Sequence, residues 1–196
     1  MPRPRLHTDD TVLDAARQLL LAGGIEAATT ASISTVSGAP VGSLYHRFGS
    51  RQQLLAHVWL RTVHRFQSGL LAAATGPTPM DRAVGAALAT VDFATTQPED
   101  ARLLLGLSQS ELLGRADLPE LTRQALSDLN RPVARLVRQL ATDLYGSAAA
   151  ARIELVSIAV IDLPYTIVRR HLRAGRSPGR HRDLVGRTVR ALLVAG

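Results

Sequence analysis

The run Val41–Phe48, VGSLYHRF, places a hydroxyl, a phenol, an imidazole and a guanidinium within about two helical turns. Nothing in this spacing pairs a nucleophile with a base, so the chemistry on offer is hydrogen bonding to a large polar surface. Drawn as a helix at about 100° per residue, Leu44 and Phe48 point one way as anchors. Gly42, Ser43 and His46 point the other way, with Val41 and Tyr45 on one flank and Arg47 on the other. A small, hydrogen-bonding outer face suits a helix laid deep in a DNA major groove. There Gly42 allows close approach, Ser43 reaches a base edge or phosphate, and Val41 packs on a thymine methyl group. Tyr45 and His46 suit phosphate, and Arg47 reaches phosphate or base.

Such a face needs elements to hold it. Pro40 fits the first helical position, where its missing N–H costs nothing. A tight turn at Gly38 joins this helix to a short preceding one that starts near Thr30 and turns Ile33 and Val36 toward Leu44 and Phe48, a helix-turn-helix arrangement. Thr30 and Ser50 open helices whose free amides are phosphate sites, and Arg51 adds charge beside the second. A first helix starts at Thr8, followed by Asp9 and Asp10, buries Val12, Ala16 and Leu19, and stops at Gly23-Gly24. A long connector follows Ser50 through Leu70, with Leu55, Val58, Thr62 and Phe66 on one side. The tail residues Arg3 and Arg5 suit a minor groove.

The remainder is also helical by its three- and four-residue apolar spacing, and no alternating strand pattern rises above it. Helices are expected near 80–96, 99–113, 119–145 with a kink at Pro132, 147–174 and 178–195. The fold class is all-α, with a DNA-binding domain over 1–50 and a helical ligand-binding and dimerisation domain over 51–196.

The formal net charge of +7 is carried by arginine, with no lysine present. Residues 1–51 hold five Arg against four acids, whereas Arg169–Arg190 hold eight against one. Cysteine is absent, which excludes disulfides and thiolate metal sites. The opening MPRPRLHTDD lacks the apolar core of a signal peptide. Leu155–Val168 is too short to span a bilayer and carries Asp162 and Pro164. The expectation is a cytoplasmic protein with no membrane partner.

The segment ATTASISTVSGAPVGSLYHRFGSRQQLL, Ala28–Leu55, resembles the DNA-binding region of TetR-family transcriptional regulators. Thr30, Ile33, Gly38, Gly42, Leu44, Tyr45, Phe48 and Arg51 sit on the family's positions. Ser34 and Ser37 stand where alanine is usual, Ala39-Pro40 replaces Val-Ser, and the order His46-Arg47 differs from the commoner ending. The resemblance covers about a quarter of the chain. It implies a homodimer formed through the last two long helices, a near-palindromic double-stranded DNA operator, and a small-molecule effector that releases a repressor. It also implies an effector pocket between the connector and the helices up to about 174.

Trp59, Phe66, Phe93 and Tyr165 are pocket candidates because the chain has few rings, although plain core packing is the simpler reading of each. Asp162, a carboxylate in an apolar run, must pair, protonate or face water. It is a counter-ion for a cationic effector or a partner for an arginine or a second subunit. Val185, Val189 and Leu192 form a stripe on the final helix. His57 and His64 share a face but lack further ligands, so no metal or other cofactor is expected. Arg169–Arg182 reads as a solvated helix end. No catalytic triad, phosphate loop or carboxylate pair points to an enzyme.

Overall fold

The computed structural model describes residues 8–106 and 119–195. Among the described residues every regular element is helical and there is no strand. The helices are α1 (Asp9–Ala27), α2 (Thr30–Ser37), α3 (Val41–Phe48), α4 (Arg51–Ala73), α5 (Pro79–Thr96) and α6 (Pro98–Gly106). They continue as α7 (Glu120–Asp128), α8 (Arg131–Tyr145), α9 (Ala150–Ser157), α10 (Leu163–Arg173) and α11 (Arg182–Ala195). The tail with Arg3 and Arg5, and the expected helix beyond Gly106, lie outside the described residues.

The chain divides into two compact units. The first takes the residues up to Thr62 together with Leu103–Asp128, and the second takes Val63–Arg102 and Leu129–Gly196. The division therefore runs through α4 after Thr62, where the sequence suggested a boundary at residue 50.

In the first unit, the Thr8 hydroxyl accepts from the Thr11 amide at 3.2 Å, which starts α1. The buried stripe of α1 runs through Val12, Ala16 and Leu20, with Leu19 only half-buried. Gly23-Gly24 interrupts the helix as expected, with both residues non-helical and Gly24 at φ 68° and ψ −163°, and a short turn follows to Ala27. The Gln53 amide donates to Ser50 Oγ at 3.1 Å and opens α4, which buries Leu55, Val58 and Thr62.

The second unit is built around α5, which packs against α8, α10, α11 and the turn before α10. Its buried residues are mostly small, Ala83, Ala86, Ala87 and Ala94 among them, so neighbouring backbones come close. A β-carbon on Gly85 would run into the carbonyl of Ala73 at the end of α4. Ion pairs fasten the same elements: Arg190 to Asp81 at 2.9 Å, Arg182 to Asp92 at 2.8 Å and Arg82 to Asp143 at 2.6 Å. Arg65 reaches Asp100, which is only 1% exposed, at 2.5 Å.

Two expected helices are interrupted. The 119–145 segment ends at Asp128 and restarts at Arg131, so Pro132 sits in a first turn and does not kink a continuous helix. Gln67 Nε2 donates to the Leu129 carbonyl at 2.9 Å, satisfying an acceptor at that break. The 147–174 segment begins at Ala150 and widens into a π-turn, Ile158–Asp162, closed by the Leu163 amide donating to the Ile158 carbonyl. Pro164 has no N–H to give to Val160, and its ring would clash with that carbonyl in a regular helix. The wider turn takes up that misfit.

Candidate nucleic-acid interface

The helix-turn-helix is α2, Gly38–Pro40 and α3. Gly38 adopts φ 72°, ψ −2°, a left-handed cap that favours glycine, and its amide donates to the Ser34 carbonyl at 2.9 Å. The two serines that depart from the family pattern hold this turn. Ser34 Oγ donates to the Ala39 carbonyl at 2.7 Å, and Ser37 Oγ accepts from the Ala39 amide at 3.2 Å.

Pro40 stands one position earlier than expected, immediately before α3, at φ −56° and ψ 141°. Leu44 and Phe48 are buried, as is Ile33 of α2. Val36 is not their partner: it is 47% exposed, and the second buried position of α2 is Ser37, one turn beyond Ile33. Thr30 is the first residue of α2 and half-buried, but the capping oxygen belongs to Thr29, which accepts from the Ser32 amide at 3.0 Å. The Thr-x-x-Ser spacing at 29–32 carried that signal.

Opposite the anchors, Val41, Gly42, Tyr45 and His46 are exposed and Ser43 is half-buried. A β-carbon on Gly42 would meet no atom within 4 Å, so nothing inside the chain calls for glycine there. Two expected cations are turned inward. Arg47 Nε donates to Asp9 Oδ1 at 2.6 Å, a second nitrogen makes an ion pair with the same oxygen, and the guanidinium lies 5.5 Å from the Phe48 ring centre. Arg51 Nε donates to the Ala28 carbonyl at 2.7 Å and its Nη2 to the Ile25 carbonyl. Arg61 of α4 reaches Asp10 at 3.0 Å and Asp14 at 2.5 Å. These arginines fasten α3 and α4 onto α1, and sequence spacing gave no sign of it because each partner lies more than twenty residues away.

Residues 12–58 match the family model described as bacterial regulatory proteins, tetR family. Over this stretch, about a quarter of its length, the chain is similar to the TetR family. Proteins of solved structure share its fold along nearly the whole length. A TetR-like regulator from Rhodococcus sp. RHA1 is 19% identical, with a TM-score of 0.67, covering 99% of this chain and 99% of that one. The fatty acid degradation regulator FadR from Bacillus halodurans is 14% identical, with a TM-score of 0.71 over 93% of this chain and 98% of its own. FadR from Bacillus subtilis, solved with stearoyl-CoA, is 13% identical, with a TM-score of 0.72 over 93% and 97%. No curated protein matches by sequence. The match over residues 12–58 supports a DNA-binding regulator, and the described residues share the all-α fold of these structures. No single helix among the described residues is long and apolar enough to cross a membrane.

The candidate effector residues fall in different places. Phe66 and Phe93 meet edge to face, ring centres 5.2 Å apart, and both are half-buried in the second unit. Trp59 is buried on α4 within the first unit. Asp162 and Tyr165 are exposed, so the carboxylate faces water and needs no buried partner. His57 and His64 are exposed on α4, and His57 touches the edge of Phe48 at 5.9 Å.

Proposed function

We propose that the chain is a homodimeric repressor that reads a near-palindromic operator with α3 and leaves it when a small-molecule effector binds. The observation that carries the reading is Gly42, a helical glycine on an exposed face with open space where its side chain would be. Such a position is best explained by a surface that comes close from outside. Val41, Ser43, Tyr45 and His46 then contact bases and phosphates, and the amides at the starts of α2 and α4 meet phosphates near Thr30 and Ser50. Arg47 and Arg51 serve chiefly to position α3 and α4, since their guanidinium groups are already engaged.

Dimerisation through the last long helices is supported by apolar residues that a single chain leaves in water. Ile158 and Tyr165 are exposed on the α9–α10 segment, and Leu184 and Val194 on α11. The stripe Val185, Val189 of α11 is spoken for, because those residues and Leu193 are buried within their own protomer. Asp162 lies among the exposed residues and would sit at the rim of such an interface. For the effector, the paired rings Phe66 and Phe93 are the starting point, and the stearoyl-CoA complex of a neighbour with this fold supports a small-molecule effector.

Selection of genomic and random duplexes by the purified protein tests the reading. Enrichment of one palindrome, bound by two chains, is the expected result. Binding without sequence preference would overturn it.

A further inference from the structure

Helix α3 is short of the groups that read a base through paired hydrogen bonds. Arginine or lysine serves guanine, asparagine or glutamine serves adenine, and aspartate or glutamate accepts from cytosine. Val41–Phe48 contains one arginine and none of the others. That arginine, Arg47, is bonded to Asp9 and lies against the Phe48 ring. The next in the chain, Arg51, donates to the Ala28 and Ile25 carbonyls.

The first turn of a recognition helix is the part that meets base edges. Here that turn is apolar and open. Pro40, just before it, is exposed, and Val41 is 38% exposed. Gly42 leaves empty space where a side chain would stand, and Ser43, the one hydroxyl in the turn, is half-buried. Four residues beyond Val41, and so on the same flank of the helix, Tyr45 is 50% exposed. Leu44 and Phe48 are buried on the opposite side, so the valine and the phenol ring are the apolar surface that α3 presents to water.

In the major groove the base pairs offer an apolar group at one place, the 5-methyl of thymine. A valine side chain gains by covering that methyl and gains nothing from the amino and carbonyl edges of the other bases, which it would strip of water. The open space at Gly42 lets the backbone come close enough for a side chain as short as valine to arrive.

We propose that each operator half-site presents a thymine methyl to Val41, flanked by the ring of Tyr45, and that this apolar contact reads the base under the first turn of α3. The proposal rests on the reading of α3 as the helix that enters DNA, and adds the chemistry by which it chooses a sequence.

The test starts from the palindrome that the full chain enriches and replaces its thymines by deoxyuridine, one symmetric pair of positions at a time. The exchange removes the methyl and keeps base pairing. One pair of positions should lower affinity by about tenfold, or about threefold for each half-site. At those positions 5-methylcytosine, paired with guanine, should bind more tightly than cytosine. Val41→Ala, a change at an exposed position, should keep the helical spectrum and lose most of the difference between thymine and deoxyuridine. An enriched palindrome that no deoxyuridine exchange weakens would overturn this inference and leave the reading of α3 standing. A methyl effect that persists in full in Val41→Ala would assign the contact to another residue and overturn it too. Enrichment of no sequence at all would sink the reading of α3 and this inference with it.

Discussion

Asp9, at the start of α1, holds the guanidinium of Arg47 at the end of α3, with Nε to Oδ1 at 2.6 Å. An arginine on the helix proposed to read DNA is thus tied back to its own domain. Replacing Asp9 by Asn frees it. The expected outcome is tighter non-specific duplex binding and a salt dependence steeper by about one phosphate contact per protomer. Fluorescence anisotropy across salt concentrations measures this, and an unchanged slope would mean that Arg47 already leaves Asp9 on DNA.

The wild-type protein should show a shallow salt dependence for its helical residues, because Arg47, Arg51 and Arg61 are all bonded within the first unit. If Arg3 and Arg5 of each tail supply the charged contacts, log K falls with log salt at a slope of about −4 per dimer. Removing the tail residues 1–7 should flatten most of it. A slope that stays steep without them would place phosphate-neutralising arginines elsewhere.

Gly42→Ala separates folding from recognition. The added methyl meets nothing in the chain, and alanine favours the helix by about 0.5–1 kcal/mol over glycine, so thermal stability should hold or rise. Operator affinity should fall by about tenfold or more, a loss of about 1.4 kcal/mol or more. Equal affinity would remove the argument for close approach at this position. Tyr45, half exposed on the same face, gives a companion test: Tyr45→Ala should weaken binding while leaving a folded protein.

For the dimer, Leu184→Asp and Ile158→Asp should lower the dimer fraction in analytical ultracentrifugation and keep the helical spectrum, since both side chains are exposed in one chain. Val189→Asp should instead unfold the protomer, because it places a carboxylate in a fully buried site at a cost of several kcal/mol. A dimer fraction unchanged by both exposed substitutions would place the interface elsewhere.

His171 gives a pH dependence with a definite sign. Its folded pKa lies below the ordinary 6.5, through burial and then through His181, Arg176, Arg180 and Arg170. The unfolded chain therefore binds the proton first, and stability falls as pH drops below about 6.5 toward the folded value. Above that range the group has no effect. Asp81, held below 3.8 by the Thr78 hydroxyl and Arg190, acts only in more acid solution, so the two windows are distinct. Urea unfolding at pH 7.5 and 5.5 should show the loss, and His171→Asn should reduce it.

The reading frame of the helix-turn-helix was legible because local rules dictate it. Thr8 and Ser50 as helix starts, the left-handed Gly38, and buried Leu44 and Phe48 all follow from residue type and period. What stayed hidden depends on partners distant in sequence. Arg47 and Arg51 read as charges for DNA although they bond to α1 and the turn after it, and Val36 looked like an anchor because a short helix leaves its inward face ambiguous. Ser34 and Ser37 stood out only as departures from the usual alanine, yet their hydroxyls bind the turn. Among the proposed effector residues Phe66 and Phe93 come together, Asp162 takes the water-facing option of the three open to it, and the exposure of Tyr165 could not be foreseen from an apolar run.

The π-turn at Ile158–Asp162 sets the phase of everything after it. One extra residue in a helix rotates the following turns by about 100° relative to an uninterrupted α-helix. Pro164, Val168, His171 and Leu172 face inward only because that residue is present. Removing a single residue between 158 and 162 would swing this buried row toward water and carry the exposed Tyr165 around with it. Insertions and deletions elsewhere in the loops change length, but here one codon decides which side of α10 is the inside.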